Sequence, residues 1–143
     1  YVAQKFIKDF AVISYGDTLA KINLKHLIES HKKSKCAMTI VAAPIQNPFG
    51  LVRWNIRNKA ISFEEKPILN HYIGYAVISP NFFDKINKRI IDLKDGKGII
   101  EAVKNLIRKK QVNIYKFNKL QITINSPEEL NHARLNYDKY FTL

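Results

Sequence analysis

Phe10-Ala11-Val12-Ile13-Ser14-Tyr15, followed at once by Gly16-Asp17-Thr18-Leu19, is the stretch on which the fold turns. The first six residues form an apolar run of the β-branched and aromatic types that suit a strand, and Gly16-Asp17 interrupts it. The reading is a buried strand ending in a sharp turn. Asp17 then stands just past the strand's carboxyl end, the edge where open α/β sheets place ligand chemistry. Gly16, without a Cβ, suits either a tight turn or close approach of a ligand to the backbone. Two roles fit Asp17 there: a loop aspartate capping the next turn, or a carboxylate facing a ligand.

Working outward, residues 1–9 are mixed and suit a short helix before that strand. Downstream, Asn23 is a plausible cap for a helix whose stripe is Leu24, Leu27, Ile28 and His31. His26 and His31 are five apart, which puts them on different sides of that helix; they are expected at the surface or an edge and do not form a metal pair. Cys36-Ala-Met-Thr-Ile-Val-Ala-Ala43 is a continuous apolar strand, suited to burial on both faces, and Pro44 is expected to end it. Strand, helix and strand make one βαβ unit with a right-handed crossover.

Gln46 to Gly50 is a loop punctuated by Pro48 and Gly50. Residues 50–56 and 60–64 flank Arg57-Asn58-Lys59 as the two strands of an exposed antiparallel hairpin. It ends in Glu64-Glu65-Lys66-Pro67, which suits ordinary solvated turn chemistry or contacts to a ligand. Pro67 biases Lys66 towards an extended backbone, so Glu65 and Lys66 are expected to point to opposite faces. His71 to Ile78 is the next strand, interrupted by Gly74, a sign of a bulge, of crowding by a neighbouring strand, or of backbone approach to a ligand. Ser79-Pro80 reads as the cap and first position of a short helix through Phe82, Phe83 and Ile86, with both phenylalanines in the core.

Asp95-Gly96-Lys97-Gly98 lacks the spacing of a phosphate-binding loop and reads as a flexible turn. The helix after it has Ile99, Ile100, Val103, Leu106 and Ile107 on one side and a basic C-terminal end. Residues 112–117 and 120–124 are short strands. Ser126-Pro127-Glu128-Glu129 is a helix start with a cap, a proline at the first position and a capping-box glutamate.

The 143 residues suit one domain, and 46% hydrophobic content excludes a disordered chain. A single cysteine excludes a disulfide scaffold or a cysteine zinc cluster and suits a reduced intracellular setting. No apolar run is long enough to span a membrane. The chain begins with Tyr1, which is expected if it is processed or if its beginning is missing. The formal charge of +12 favours anionic partners. The excess is concentrated between Phe83 and Lys119, where lysines spread among Ile and Asn suit a solvated face or a nucleic-acid contact. Arginine forks and aromatic platforms are not clustered there, which disfavours nucleic acid.

From Phe10 to about Leu130 these segments, in this order, resemble the sugar-1-phosphate nucleotidyltransferases, the nucleotide-sugar pyrophosphorylases. The matching pieces are Tyr15-Gly16-Asp17, Leu24 to His31, the Thr39-containing strand, Phe49-Gly50-Leu51-Val52, Phe63 to Pro67, Gly74-Tyr75 and Asn125 to Leu130. The resemblance implies an α/β fold with a mixed, mostly parallel sheet flanked by helices. This is a Rossmann-like nucleotidyltransferase fold lacking its N-terminal βα units, so that residues 1–143 are one partial domain carrying the sugar-phosphate side. The implied reaction transfers a nucleotidyl group from a nucleoside triphosphate to a sugar 1-phosphate, giving nucleotide sugar and pyrophosphate.

By that resemblance Asp17 and Lys66 are catalytic, Asp17 holding Mg2+ and Lys66 meeting the sugar phosphate. Glu65 would contact sugar hydroxyls, and Gly50 and Gly74 would bring backbone to the sugar. The family's glycine-rich triphosphate loop has no counterpart before Gly16, and its second metal aspartate falls at Thr123, whose neutral hydroxyl is a poorer magnesium ligand. The implied setting is cytoplasmic, without a membrane, and the implied partner is a homo-oligomer or a complementing N-terminal segment. Two other readings stand beside it: a non-catalytic regulatory or structural subunit of the same fold, and a basic nucleic-acid-binding module.

Overall fold

After a turn of 3-10 helix at Val2–Phe6, the chain runs β1 (Ala11–Ser14), β2 (Thr18–Ala20), α1 (Leu24–Ser34), β3 (Met38–Gln46), β4 (Leu51–Trp54), β5 (Ala60–Glu64) and β6 (Ile68–Ile78). It continues through α2 (Phe82–Lys85), α3 (Lys97–Arg108), β7 (Val112–Lys116), β8 (Gln121–Thr123), α4 (Pro127–Leu135) and α5 (Tyr137–Phe141). The computed structural model describes residues 2–87, 89–90, 93 and 96–141. Asp95 of the expected Asp95–Gly98 turn lies outside them; Gly96, at φ +70°, opens α3.

The main sheet has the order β1-β6-β3-β7. β6 is antiparallel to both β1 and β3, and β3 is parallel to β7. β1, β3 and β7 therefore point one way and β6 the other; the sheet is mixed as expected, but two of its three pairings are antiparallel, because β6 stands between β1 and β3. β1, α1 and β3 form a strand-helix-strand unit with parallel strands, but β6 lies between the two. β1 is an edge strand whose Val12 and Ser14 face solvent, so the expectation of a fully buried opening strand is corrected.

Helices cover both faces of this sheet, because successive strand residues point to opposite sides. On one side Leu27 of α1 packs with Val41, Ala43, Ile73, Val77 and Phe117. On the other, Phe82, Ala102 and Leu106 pack on Ala37, Met38, Ala76 and Ile78. In α3 the inward stripe is centred on Ala102 and Leu106, leaving Ile100 and Ile107 more exposed than their spacing suggested.

Three local expectations change for identifiable reasons. β3 continues through Pro44, which pairs with Asn70; β7 ends opposite Ala42, so Pro44 has a strand on one side only and its missing N–H interrupts no ladder. Ser79 does not cap α2 with its side chain, and Asn81 occupies the cap position. Finally, His31 is buried rather than superficial. Its Nδ1 lies 2.8 Å from Thr39 Oγ1 and its Nε2 2.7 Å from Ser79 Oγ. Asn113 Nδ2 donates to Thr39 Oγ1 and to Ser30 Oγ, each at 3.3 Å. A neutral imidazole needs one donor and one acceptor, and two rotatable hydroxyls provide them. His26, by contrast, is exposed and donates its backbone N–H to the Asn23 cap at 3.0 Å, as the helix start required.

Burial holds the His31 pKa below its ordinary 6.5. The unfolded chain therefore takes up the proton first, and the stability contributed by the neutral ring is complete above about pH 6.5 and lost as pH falls towards the depressed folded value. The urea midpoint should hold between pH 8 and 7 and drop between 6.5 and 5. His31→Gln should lower the midpoint at neutral pH and flatten that drop; a wild-type drop reproduced unchanged in the variant would exclude His31 as its source.

Candidate functional site

The carboxyl end of β1 is clamped against β6. Tyr15 N–H donates to the Gly74 carbonyl at 2.9 Å, and the Tyr75 hydroxyl donates to the Thr18 carbonyl at 2.9 Å. Gly74 adopts φ +79°, and a Cβ there would come within 2.9 Å of the Cβ and ring of Tyr15. The crowding reading of Gly74 holds, and so does the bulge reading, since the register of β6 against β3 shifts between the Ile40–Ala76 and Ala42–Tyr72 pairs that flank it. Tyr15 also meets Tyr72 edge to face, with ring centroids 5.7 Å apart and planes at 81°. Partial burial, then the proximity of Tyr15, pushes the Tyr72 phenol up to about 12, so it remains a hydrogen-bond donor at neutral pH. Gly16 does not use the left-handed region and has open space around it.

Asp17 is exposed at this end, with Thr18 Oγ1 donating to its Oδ1 at 3.2 Å. The sequence reading missed β2. Thr18 pairs with Thr123 of β8, and Ile124 N–H donates to the Asp17 carbonyl at 2.7 Å. Thr123 is thereby brought beside the Asp17 segment, at the position where the resemblance puts a second acid. The Asp17 carboxylate has the Thr18 hydroxyl beside it, and among the described residues no group of three or more His, Cys, Asp or Glu converges on a common point. That set suits a hard cation shared with substrate phosphates, the usual way Mg2+ is held by few protein ligands, and does not suit a cage built by protein alone.

A second group forms where the β4–β5 hairpin rejoins the sheet. A Cβ on Gly50 would meet the Phe63 ring at 2.8 Å and Glu65 Oε2 at 3.2 Å. Lys66 takes φ +45°, not the extended backbone expected before Pro67. The chain has to reverse there from β5 into β6, and Pro67 is buried with its carbonyl accepting from Asn47 N–H at 2.9 Å. The left-handed residue turns the two side chains towards each other: Lys66 Nζ lies 4.0 Å from Glu65 Oε1, with both side chains more than half exposed. The expected opposite-facing pair is a convergent one.

β1 and β3 point the same way, but β1 ends opposite Tyr75 and β3 opposite Ile68, so the two strand ends lie about 23 Å apart along β6. Lys66 precedes Gly74 along the chain by a span of up to about 26 Å if extended. No hydrogen bond or ion pair among the described residues joins Asp17 to Glu65 or Lys66. Tyr72, Tyr75 and Thr18 complete the clamp without having been singled out; the tyrosines that bracket Gly74 in sequence were the available signal.

Gly74→Ala should be destabilising by more than the ~1 kcal/mol that a left-handed backbone usually costs alanine, because the new methyl meets Tyr15. In urea unfolding, combining it with Tyr15→Ala should recover part of the loss. Strict additivity of the two substitutions would show that the contact with Tyr15 is not the cause.

Comparison with known proteins gives the family and the fold. Residues 1–121 match the family model described as nucleotidyl transferase. A Bacillus subtilis (strain 168) protein described as a probable glucose-1-phosphate cytidylyltransferase is 32% identical over 109 residues, which is 73% of this chain and 40% of the relative. A Bacillus anthracis structure described as a glucose-1-phosphate thymidylyltransferase, solved in complex with a sucrose, superposes with a TM-score of 0.64 at 19% identity, over 99% of this chain and 61% of that one. The chain thus spans less than two thirds of the length of either protein, while sharing the fold of the second. On the family match and the identity to the first, the chain belongs to the nucleotidyl transferase family, among the sugar-1-phosphate nucleotidyltransferases.

Proposed function

We propose that these residues supply the sugar-phosphate side of an enzyme that joins a nucleoside triphosphate to a sugar 1-phosphate. The observation that carries the reading is the β2–β8 pairing, which sets Asp17 and the neighbouring Thr123 at the carboxyl end of β1 beside the Tyr15–Gly74 clamp. The named relatives, both described as acting on glucose 1-phosphate, support glucose 1-phosphate as the sugar. No helix among the described residues is long and apolar enough to cross a membrane, and the reading keeps the cytoplasmic setting.

In this scheme a phosphate oxygen of the sugar 1-phosphate attacks the α-phosphorus of the triphosphate. The bond from that phosphorus to its bridging oxygen breaks, and pyrophosphate leaves. Lys66 neutralises the sugar phosphate as it approaches the polyphosphate, and Glu65, close beside it, accepts hydrogen bonds from sugar hydroxyls. Gly50 lets the Phe63 ring and Glu65 lie against the backbone, while Gly74 acts through Tyr15, which it lets close over β6. Asp17 would hold Mg2+ together with the substrate's phosphates, and the ion supplies charge neutralisation at the transferring group.

The experiment is titration calorimetry with glucose 1-phosphate and with Mg2+. Lys66→Ala and Glu65→Ala should each weaken sugar-phosphate binding about tenfold without lowering the melting temperature, since both side chains are largely exposed. Asp17→Asn should weaken Mg2+ binding in the presence of glucose 1-phosphate, and Thr123→Asp should strengthen it severalfold by adding a second carboxylate. Sugar-phosphate affinity indifferent to Lys66 and Glu65, with metal affinity indifferent to position 123, would overturn the reading.

A further inference from the structure

β7 closes one side of the main sheet: β3 is its neighbour, and among the described residues no strand pairs with its outer side. The ladder to β3 identifies the main-chain groups left over. Met38 N–H donates to the Gln111 carbonyl at 3.1 Å and Phe117 N–H to the Ala42 carbonyl at 2.9 Å, while Met38, Ile40 and Ala42 stand opposite Val112, Ile114 and Lys116. In a parallel pair with that phase each of these β3 residues bonds to the residues before and after its partner, so the ladder uses Gln111, Asn113, Tyr115 and Phe117. The N–H and C=O groups of Val112, Ile114 and Lys116 point away from the sheet, a row of donors and acceptors in alternation.

The side chains along this edge select what can pair with it. Val112 packs against the core under α3, so alternation puts Ile114 on that face, where it is 47% exposed. From Lys104 to Lys119 the chain carries six Lys or Arg and no Asp or Glu. Lys110 and Lys116, both exposed, stand at the two ends of the strand, up to roughly 20 Å apart. Beside the second end is a cavity of about 330 Å³ lined by Lys21, His26, Tyr115, Lys116 and Lys119, with no carboxylate among its lining residues. The adjoining cavity, which shares His26, holds one carboxylate, Glu29, and Lys33 follows it one turn along α1. Lysines on an edge repel a second copy of the same edge. A phosphodiester chain offers acceptors without amide donors and leaves the outward carbonyls unanswered. An extended acidic polypeptide answers both the main-chain row and the charge.

We propose that the outer edge of β7 binds an extended acidic segment of a partner protein as a fifth strand of the main sheet. Main-chain bonds form at Val112, Ile114 and Lys116, an apolar side chain covers Ile114, and carboxylates reach Lys110 at one end and the Lys116–Lys119 cavity at the other. The surface does not depend on the roles assigned above to Asp17, Glu65 and Lys66.

The probe is a fluorescein-labelled nine-residue peptide with two acidic residues at each end of an alternating valine–threonine centre, read by fluorescence anisotropy against the full chain. It should bind, and added salt should weaken binding. N-methylating alternate amides keeps every charge, so methylation along one edge of the peptide should weaken binding about tenfold while methylation along the other leaves it unchanged. Lys116→Glu with Lys119→Glu should also weaken it about tenfold without changing the far-ultraviolet circular dichroism. Amide hydrogen exchange at Val112, Ile114 and Lys116 should slow when the peptide is added. Absence of binding, equal tolerance of both methylated peptides, or equal affinity for a single-stranded oligodeoxythymidine of the same charge would each overturn the proposal.

Discussion

The antiparallel placement of β6 between β1 and β3 is the constraint from which the rest follows. It gives β1 and β3 a common direction, with β3 running on along β6 past the end of β1 as far as Ile68. It also sets Gly74 against Tyr15. Without that glycine the segment leading to Asp17 would be held off the strand that orients it. The packing on both faces draws on the same strand, with Ile73 and Val77 on one side and Ala76 and Ile78 on the other. Removing β6 would part β1 from β3 and take a strand from both core clusters.

The polar residues sort themselves by sheet edge. At the end where β3 begins and β6 finishes, His31, Thr39, Ser79 and Asn113 satisfy one another inside the core, and they tie α1 to β3, to the exit of β6 and to β7. At the opposite end, Asp17, Glu65 and Lys66 are exposed, and their partners are weak or local. Saturated hydrogen bonding makes the first end rigid and chemically closed; incomplete pairing leaves the second open to ligands.

What the amino-acid order revealed depended on how local its cause was. α1 and α4 were readable because their caps lie within three residues of the groups they satisfy: Asn23 with His26, Ser126 with Glu129. The β4–β5 hairpin was readable from the turn residues Arg57-Asn58-Lys59 between its strands, and β3 from its unbroken apolar run. β2 was not, since three residues carry too little pattern and their partner β8 arrives only near the end of the chain. His31 was misjudged because its partners come from β3 and from the exit of β6, and a histidine on an apolar stripe gives no sign of hydroxyls waiting across the core. In the candidate site, the residue types Asp17, Glu65 and Lys66 stood out in the sequence. The convergence of Glu65 and Lys66 did not, because a left-handed backbone at a non-glycine before proline runs against the local rule.

Pro44 has an effect beyond the ladder it sits in. Past Ala42, where β7 stops, no strand among the described residues pairs with the far side of β3, a margin of main-chain groups of the sort that recruits foreign strands and seeds fibrils. A residue with no amide hydrogen in the middle of that margin breaks the row of donors an incoming chain would have to match. The same imino acid that looked like a strand terminator therefore acts as a guard against runaway sheet growth, leaving the strand itself intact.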